Sequence, residues 1–249
     1  MNAATARTTI DQAEIERFSR IAAEWWDPAG KFKPLHKFNP VRLTYIRDAI
    51  CAAYGRDPKA PRPLEGIRII DVGCGGGLLS EPLARLGASV TGVDAAEKNV
   101  KTAAAHAAET GVSVDYRATT AESLVAAGEQ FDVVLAMEIV EHVADVDLFL
   151  DAVGKLARPG GLVFMATLNR TAKGWLLGVV AAEYLLGWLP RGTHDWKKFL
   201  RPSELVGGLR RAGVAVRDIS GVAYNPISDK FSLSPTNLEV NYLLWGVRE

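Results

Sequence analysis

Cysteine is nearly missing from this 249-residue chain, which holds only Cys51 and Cys74. Two thiols, one of them set among glycines, exclude a disulfide framework and predict a reduced, intracellular protein. An excess of either charge is also missing, since 29 Lys and Arg stand against 29 Asp and Glu. No global basic field favours a nucleic-acid backbone, so no nucleic-acid partner is expected. The N-terminal stretch MNAATARTTIDQAEIERF lacks the apolar core of a signal peptide, and Asp11, Glu14 and Glu16 argue against a transit peptide. The longest apolar stretch, Gly174 to Pro190, contains Glu183 and is shorter than the roughly 20 residues of a spanning helix. Internal repeats and low-complexity segments are absent too.

What is present is a change of pattern along the chain. Ile10 to Ala23 reads as an amphipathic helix that ends near Trp25-Trp26-Asp27-Pro28. Gly30 to Pro40 reads as turn-rich, Val41 to Tyr54 as a helix, and the proline-rich Gly55 to Gly66 as a linker. Strands then alternate with helices. The predicted strands are Ile67 to Asp71, Ala88 to Val93, Val112 to Arg117, Phe131 to Met137 and Leu162 to Leu168. The helices between them are Leu78 to Leu86, Glu97 to Thr110 and Val146 to Leu156. This order predicts an α/β, doubly wound, mostly parallel sheet. Val214 to Ser220 and Val240 to Val247, with no long helix between them, predict a hairpin-like antiparallel end.

The sharpest motif is Asp71-Val72-Gly73-Cys74-Gly75-Gly76-Gly77 between the first strand and its helix. Glycines there allow a tight turn and close approach to a ligand. The dinucleotide fingerprint would need glycine at position 78, where this chain has Leu78. Asp71 would repel a pyrophosphate and attract the ammonium group of S-adenosylmethionine, so Asp71, Gly73 and Gly75 are candidate cofactor residues. Asp94 ends the second strand, where an acid accepts ribose hydroxyls in NAD enzymes as well. Met137, ending the fourth strand, is a candidate packing partner for an adenine ring, although on its own simple core filling is the favoured reading.

The stretch IRIIDVGCGGGLLSEPLARLGASVTGVD resembles the cofactor motif of class I S-adenosylmethionine-dependent methyltransferases. Four further segments narrow the resemblance: RIAAEWWDPAGKFKPLHKFNPVRLTYI, MEIVEHV, TLNRTAKGWLLGVVAAEYLLGWLPRGTHDWKKF and GVAYNPI. Together they resemble the O-methyltransferases of ubiquinone biosynthesis from about Phe18 to Trp245; only the proline-rich linker Arg56 to Pro63 departs from the pattern. The resemblance implies a seven-stranded Rossmann-like methyltransferase sheet with an antiparallel end strand. It implies a helical cap and linker over 1–63, and a cofactor-binding domain over 64–249 with an apolar insertion at 169–195. It implies two methylations, of 2-polyprenyl-6-hydroxyphenol and of 3-demethylubiquinol. Its cofactor positions fall on Arg42, Gly73, Asp94 and Met137, Arg42 being able to pair with the methionine carboxylate. An NAD-dependent oxidoreductase, or a noncatalytic scaffold of a membrane-bound quinone-biosynthesis complex, are the alternatives.

Glu138, Glu141 and His142 stand at i, i+3 and i+4, which would put them on one face of a helix. Related eukaryotic members use magnesium at the matching triplet, so a divalent cation, Mg or Zn, is an expectation here; a histidine ligand fits zinc better than magnesium. Without a metal, His142 is the general-base candidate, with His36 and His194 competing. The segment Gly174 to Pro190, bracketed by Lys173 and Arg191 and carrying Trp175 and Trp188, is a buried helix by default. The polyprenyl substrates favour instead a lid that touches the membrane surface. A cytoplasmic enzyme, peripheral at the inner face of the membrane and beside other ubiquinone-biosynthesis enzymes, is the resulting expectation.

Overall fold

The computed structural model describes residues 7–176, 195–225 and 227–249. Five parallel strands form the centre: β1 (Arg68–Val72), β2 (Ser89–Asp94), β3 (Asp115–Ala118), β4 (Phe131–Met137) and β5 (Ala157–Leu168). They run in the order β3-β2-β1-β4-β5, and the sheet continues antiparallel through β8 (Asn241–Arg248), β6 (Val214–Asn225) and β7 (Lys230–Ser234). Among the described residues the sheet therefore has eight strands, one more than the expected seven. The added strand is β7, whose residues KFSLS are mostly solvent-exposed, so burial leaves little hydrophobic signature in its sequence.

Both faces of the central strands are apolar and covered, as a parallel sheet requires. On one face, α2 (Lys33–Ala53) and α3 (Ser80–Arg85) bury Ile46, Ile50 and Leu83 against Ile69, Leu135 and Phe164. On the other, α5 (Ala121–Ala126), α6 (Val146–Leu156) and α8 (Pro202–Arg211) bury Leu124, Phe149, Val153 and Leu205 against Ile70, Val134 and Met165. The remaining helices are α1 (Gln12–Ile21), α4 (Glu97–Glu109) and the single turn α7 (Ala172–Gly174). Asp11 caps α1 by accepting from Ala13 and Glu14 N–H groups.

The turn-rich reading of 30–40 is corrected, because α2 starts at Lys33 and runs straight through Pro40. Pro34 lies in the first turn, where a missing N–H costs nothing. Pro40 loses one helical hydrogen bond, but its ring is exposed, and Phe38, Asn39, Arg42 and Tyr45 are buried around it.

Residues before α2 are pinned by two tryptophans. Trp25 stacks on Phe32 at 3.6 Å and donates Nε1–H to Asn99 Oδ1 at 3.0 Å. Trp26 stacks on His106 at 3.5 Å and donates to the Gly76 carbonyl at 2.8 Å. Trp25→Ala should therefore cost on the order of 3–5 kcal/mol, the range for truncating a buried aromatic. Urea denaturation reads that cost, and faster tryptic cleavage at Arg17 or Arg20 reads the loosened segment.

Candidate active site

The chain order reverses between β1 and β4, which is where an open α/β sheet holds its ligands. The loop after β1 is tied down by Gly73 and Cys74, whose N–H groups both donate to the Val93 carbonyl, at 2.8 and 3.0 Å. Gly73, Gly75 and Gly77 have φ of 75°, 54° and 87°, a left-handed backbone that only glycine adopts without strain. A Cβ on Gly75 or Gly76 would run into the Trp25 indole, and one on Gly73 into Ile139. The glycines thus admit protein side chains as well as a ligand.

Two cavities open along this loop. The smaller is lined by Asp94, Ala96, Thr120, Ala121 and Phe149 together with α1 residues such as Glu14 and Ile15. Asp94 accepts from Ala96 N–H at 2.7 Å and from Gly75 N–H at 3.0 Å, so the acid is aimed by the loop and by the start of α4. Burial raises its carboxyl above the usual range, and these bonds oppose the rise. The larger cavity, about 240 Å³, is lined by Arg42, Asp71, Met137, Glu138, Glu141 and His142. Gly73, Phe18 and His142 line both. An elongated ligand could pass from one to the other over Gly73.

The larger cavity is lined by charge of both signs, Arg42 together with Asp71, Glu138 and Glu141. Arg42 is only 3% exposed; its Nη2 donates to Asn39 Oδ1 at 2.9 Å, and its Nε has no hydrogen-bond partner among the described residues. Burial lowers its pKa, against the pull of Glu138 and Asp71. Asp71 accepts from Ser80 Oγ at 2.7 Å, and burial still pushes its carboxyl up to about 6. An unpaired guanidinium N–H and a carboxylate lining one cavity suit a zwitterion, the carboxylate toward Arg42 and the ammonium toward Asp71. The described residues therefore fit the methionine end of S-adenosylmethionine, and a further carboxylate, Asp94, lines the adjoining cavity. Met137 lines the larger cavity rather than the one at Asp94, and Gly75 lines neither.

The triplet geometry is corrected. Glu138 leaves β4 with φ of 57°, and only Val140–His142 form a turn, of 3₁₀ type, so no α-helical face carries all three side chains. Glu141 accepts from Thr167 Oγ1 at 2.8 Å, and its carboxyl is held well above the usual range by burial first and by Glu138 second. His142 Nδ1 faces the Glu14 carboxylate at 3.1 Å. No group of three His, Cys, Asp or Glu side chains suited to a metal ion occurs among the described residues. A divalent cation at these side chains is therefore without support among the described residues. Of the competing histidines, His36 is bonded to the Trp25 carbonyl at 2.9 Å and does not line the cavity; His194 lies outside the described residues.

Several lining residues escape a motif reading: Glu14 and Phe18 on α1, Phe38 on α2 and Phe231 on β7. Phe18 meets the His142 ring edge-on at 5.1 Å. Glu14 is buried although acidic, and burial would raise its pKa, but His142, Arg17 and Lys198 together hold it below the usual range. Its signal was its place in the apolar stripe Ile10, Glu14, Phe18, Ile21.

Residues 70–165 match the family described as a methyltransferase domain. The fold resembles magnesium protoporphyrin IX methyltransferase from Synechocystis with bound SAH, with a TM-score of 0.63, 20% identity, and 96% of this chain and 95% of that one covered. It also resembles an S-adenosylmethionine-dependent methyltransferase from Thermotoga maritima, with a TM-score of 0.63, 18% identity, and 95% and 99% covered. Nearer relatives are the ubiquinone biosynthesis O-methyltransferases of Sinorhizobium fredii, 60% identical over 244 residues, and Brucella anthropi, 59% identical over 244, each covering 98% of both chains. At that identity, over nearly its whole length, the chain belongs to the ubiquinone biosynthesis O-methyltransferases, which use S-adenosylmethionine.

Proposed function

We propose that this chain methylates a phenolic hydroxyl of 2-polyprenyl-6-hydroxyphenol and of 3-demethylubiquinol, residues 1–63 forming a cap over the site. The observation that carries the reading is the pair of cavities that share Gly73, Phe18 and His142. In this reading Asp94 takes the ribose hydroxyls, Gly73 and Gly75 shape the turn beneath, and Met137 packs on the bound cofactor. Asp71 and Arg42 hold the methionine ammonium and carboxylate. When bound, S-adenosylmethionine supplies a methyl on a sulfonium whose carbon–sulfur bond breaks with its electron pair left on sulfur.

The remaining work falls to side chains. A phenol near pKa ~10 is a weak nucleophile at neutral pH. His142 accepts its proton, and the oxygen keeps the electron pair with which it attacks the methyl carbon. Phe18, Phe32 and Phe38 form an apolar wall that excludes water and fits a prenylated ring. No described helix is long and apolar enough to cross a membrane. The segment 174–190 is proposed as the contact with the membrane surface at the inner face, near other enzymes of the pathway. Most of it lies outside the described residues; Trp175 and Leu176, within them, are 47% and 50% exposed.

Asp94→Asn, which preserves shape but removes the charge, should weaken S-adenosylmethionine binding about tenfold, because a charge-assisted bond is worth roughly 1.5–3 kcal/mol. Unchanged affinity by calorimetry in a folded variant would refute the ribose assignment.

The ammonium binds the ionised form of Asp71, whose carboxyl titrates at about 6 in the free protein. Affinity should be level above that pH and fall about tenfold per unit below it. Ser80→Ala removes a bond that lowers the Asp71 pKa, so the fall should begin at a higher pH. Calorimetry between pH 5 and about 8 reads both; an affinity flat across that range would contradict the contact.

Trp175→Glu with Leu176→Glu should abolish co-sedimentation with anionic liposomes and spare turnover of a short-tailed phenol. Undiminished sedimentation would reject the membrane contact.

A further inference from the structure

Glu14 and His142 are 128 residues apart in sequence and come from α1 and from the turn after β4. Both are buried, and Glu14 Oε2 lies 3.1 Å from the His142 Nδ1. The carboxylate is itself held from two other directions. Arg17 Nη1 donates to Glu14 Oε1 at 3.2 Å and Oε2 at 2.9 Å, and Lys198 Nζ stands 3.6 Å from Oε1. The imidazole is braced by the edge of Phe18, one turn along from Glu14 on the same face of α1. A single helix therefore supplies both the acceptor and the packing that set this ring.

We propose that Glu14 is a positioning residue for His142, holding the imidazole in the tautomer that carries its proton on Nδ1 and leaves the Nε2 lone pair to accept the phenol proton. The inference rests on the reading of His142 as general base. An ionised carboxylate can only accept a hydrogen bond, so the nitrogen facing it must be the one that bears hydrogen. The neutral ring has one such nitrogen, and the other is thereby made the acceptor. The structure gives a reason for building the base this way. His142 sits where the two cavities join, and a ring free to flip would present N–H to the phenol half of the time. Docking of α1 over the cofactor cavity would complete the base only when the cap is in place.

The test uses the full-length protein with S-adenosylmethionine and a short-tailed prenylated catechol. Nitrogen-15 ring correlations of wild type should show the Nδ1–H tautomer at His142. Glu14→Gln keeps the size of the side chain, but its amide can donate to Nδ1 and invert the tautomer. That variant should lose at least tenfold in kcat, hold its S-adenosylmethionine Kd within twofold, and show Nε2–H; Glu14→Asp should recover part of the loss. An Nε2–H tautomer in wild type would overturn the proposal without any variant. So would a Glu14→Gln protein with unchanged kcat, or one that loses cofactor affinity alone. His142→Gln separates the two readings. If it retains kcat, the general base is elsewhere; if it loses kcat while Glu14→Gln does not, only the positioning role fails.

Discussion

A guanidinium taken out of water must find compensating charge, and Arg42 does so at the carboxyl ends of the two central strands. It is almost wholly buried, and Asp71 and Glu138 are the acids whose fields offset its desolvation. The compensation is incomplete, since its Nε is unsatisfied among the described residues and Asp71 remains partly protonated near pH 6. A site that is electrostatically unfinished without its ligand is preorganised for one, because the ligand's own charges complete it. For a zwitterionic methionine end, the completion is two-sided. The neighbouring strain at Glu138, a non-glycine residue at φ 57°, lies where β4 hands the chain to the His142 turn.

The cap and the sheet are coupled through this same region. Trp25 packs over Gly75 and Gly76 while its indole N–H reaches Asn99, which in turn bonds to Asp94. Glu14 reaches His142 from α1, and Thr9 ahead of it accepts Ala144 N–H and donates to Glu122. The N-terminal residues thus touch the smaller cavity, the glycine loop and His142. Loss of these contacts would disturb all three, so α1 and the two tryptophans are part of what shapes the site.

The core of the fold was legible because each element buries a regular pattern. Phe131–Met137 and Val146–Leu156 were readable to the residue, since both are dense in apolar side chains and Glu138 and Asp145 mark an end of each. The edge was not. β7 is a strand only because it pairs with β6, and α5 and α8 are short, with Thr120 and Arg201 as their starting caps. Pro40 misled for a physical reason, as an exposed proline inside a helix is affordable when the opposite face is well packed. In the site, Asp71, Gly73, Asp94, Arg42 and His142 line one or both of the two cavities. The common face for Glu138, Glu141 and His142 assumed an α-helix that the left-handed turn at Glu138 forbids. Glu14 required tertiary information, because nothing local says which buried nitrogen an acid on an apolar stripe will meet.

One elongated ligand bridging both cavities over Gly73 is the central expectation, and a crystal structure with S-adenosylhomocysteine tests it. Ribose oxygens should lie on Asp94, the amino acid carboxylate on Arg42 and the amino group toward Asp71, with no large shift of the glycine loop. Adenosine seated in the larger cavity, or a carboxylate placed away from Arg42, would contradict it.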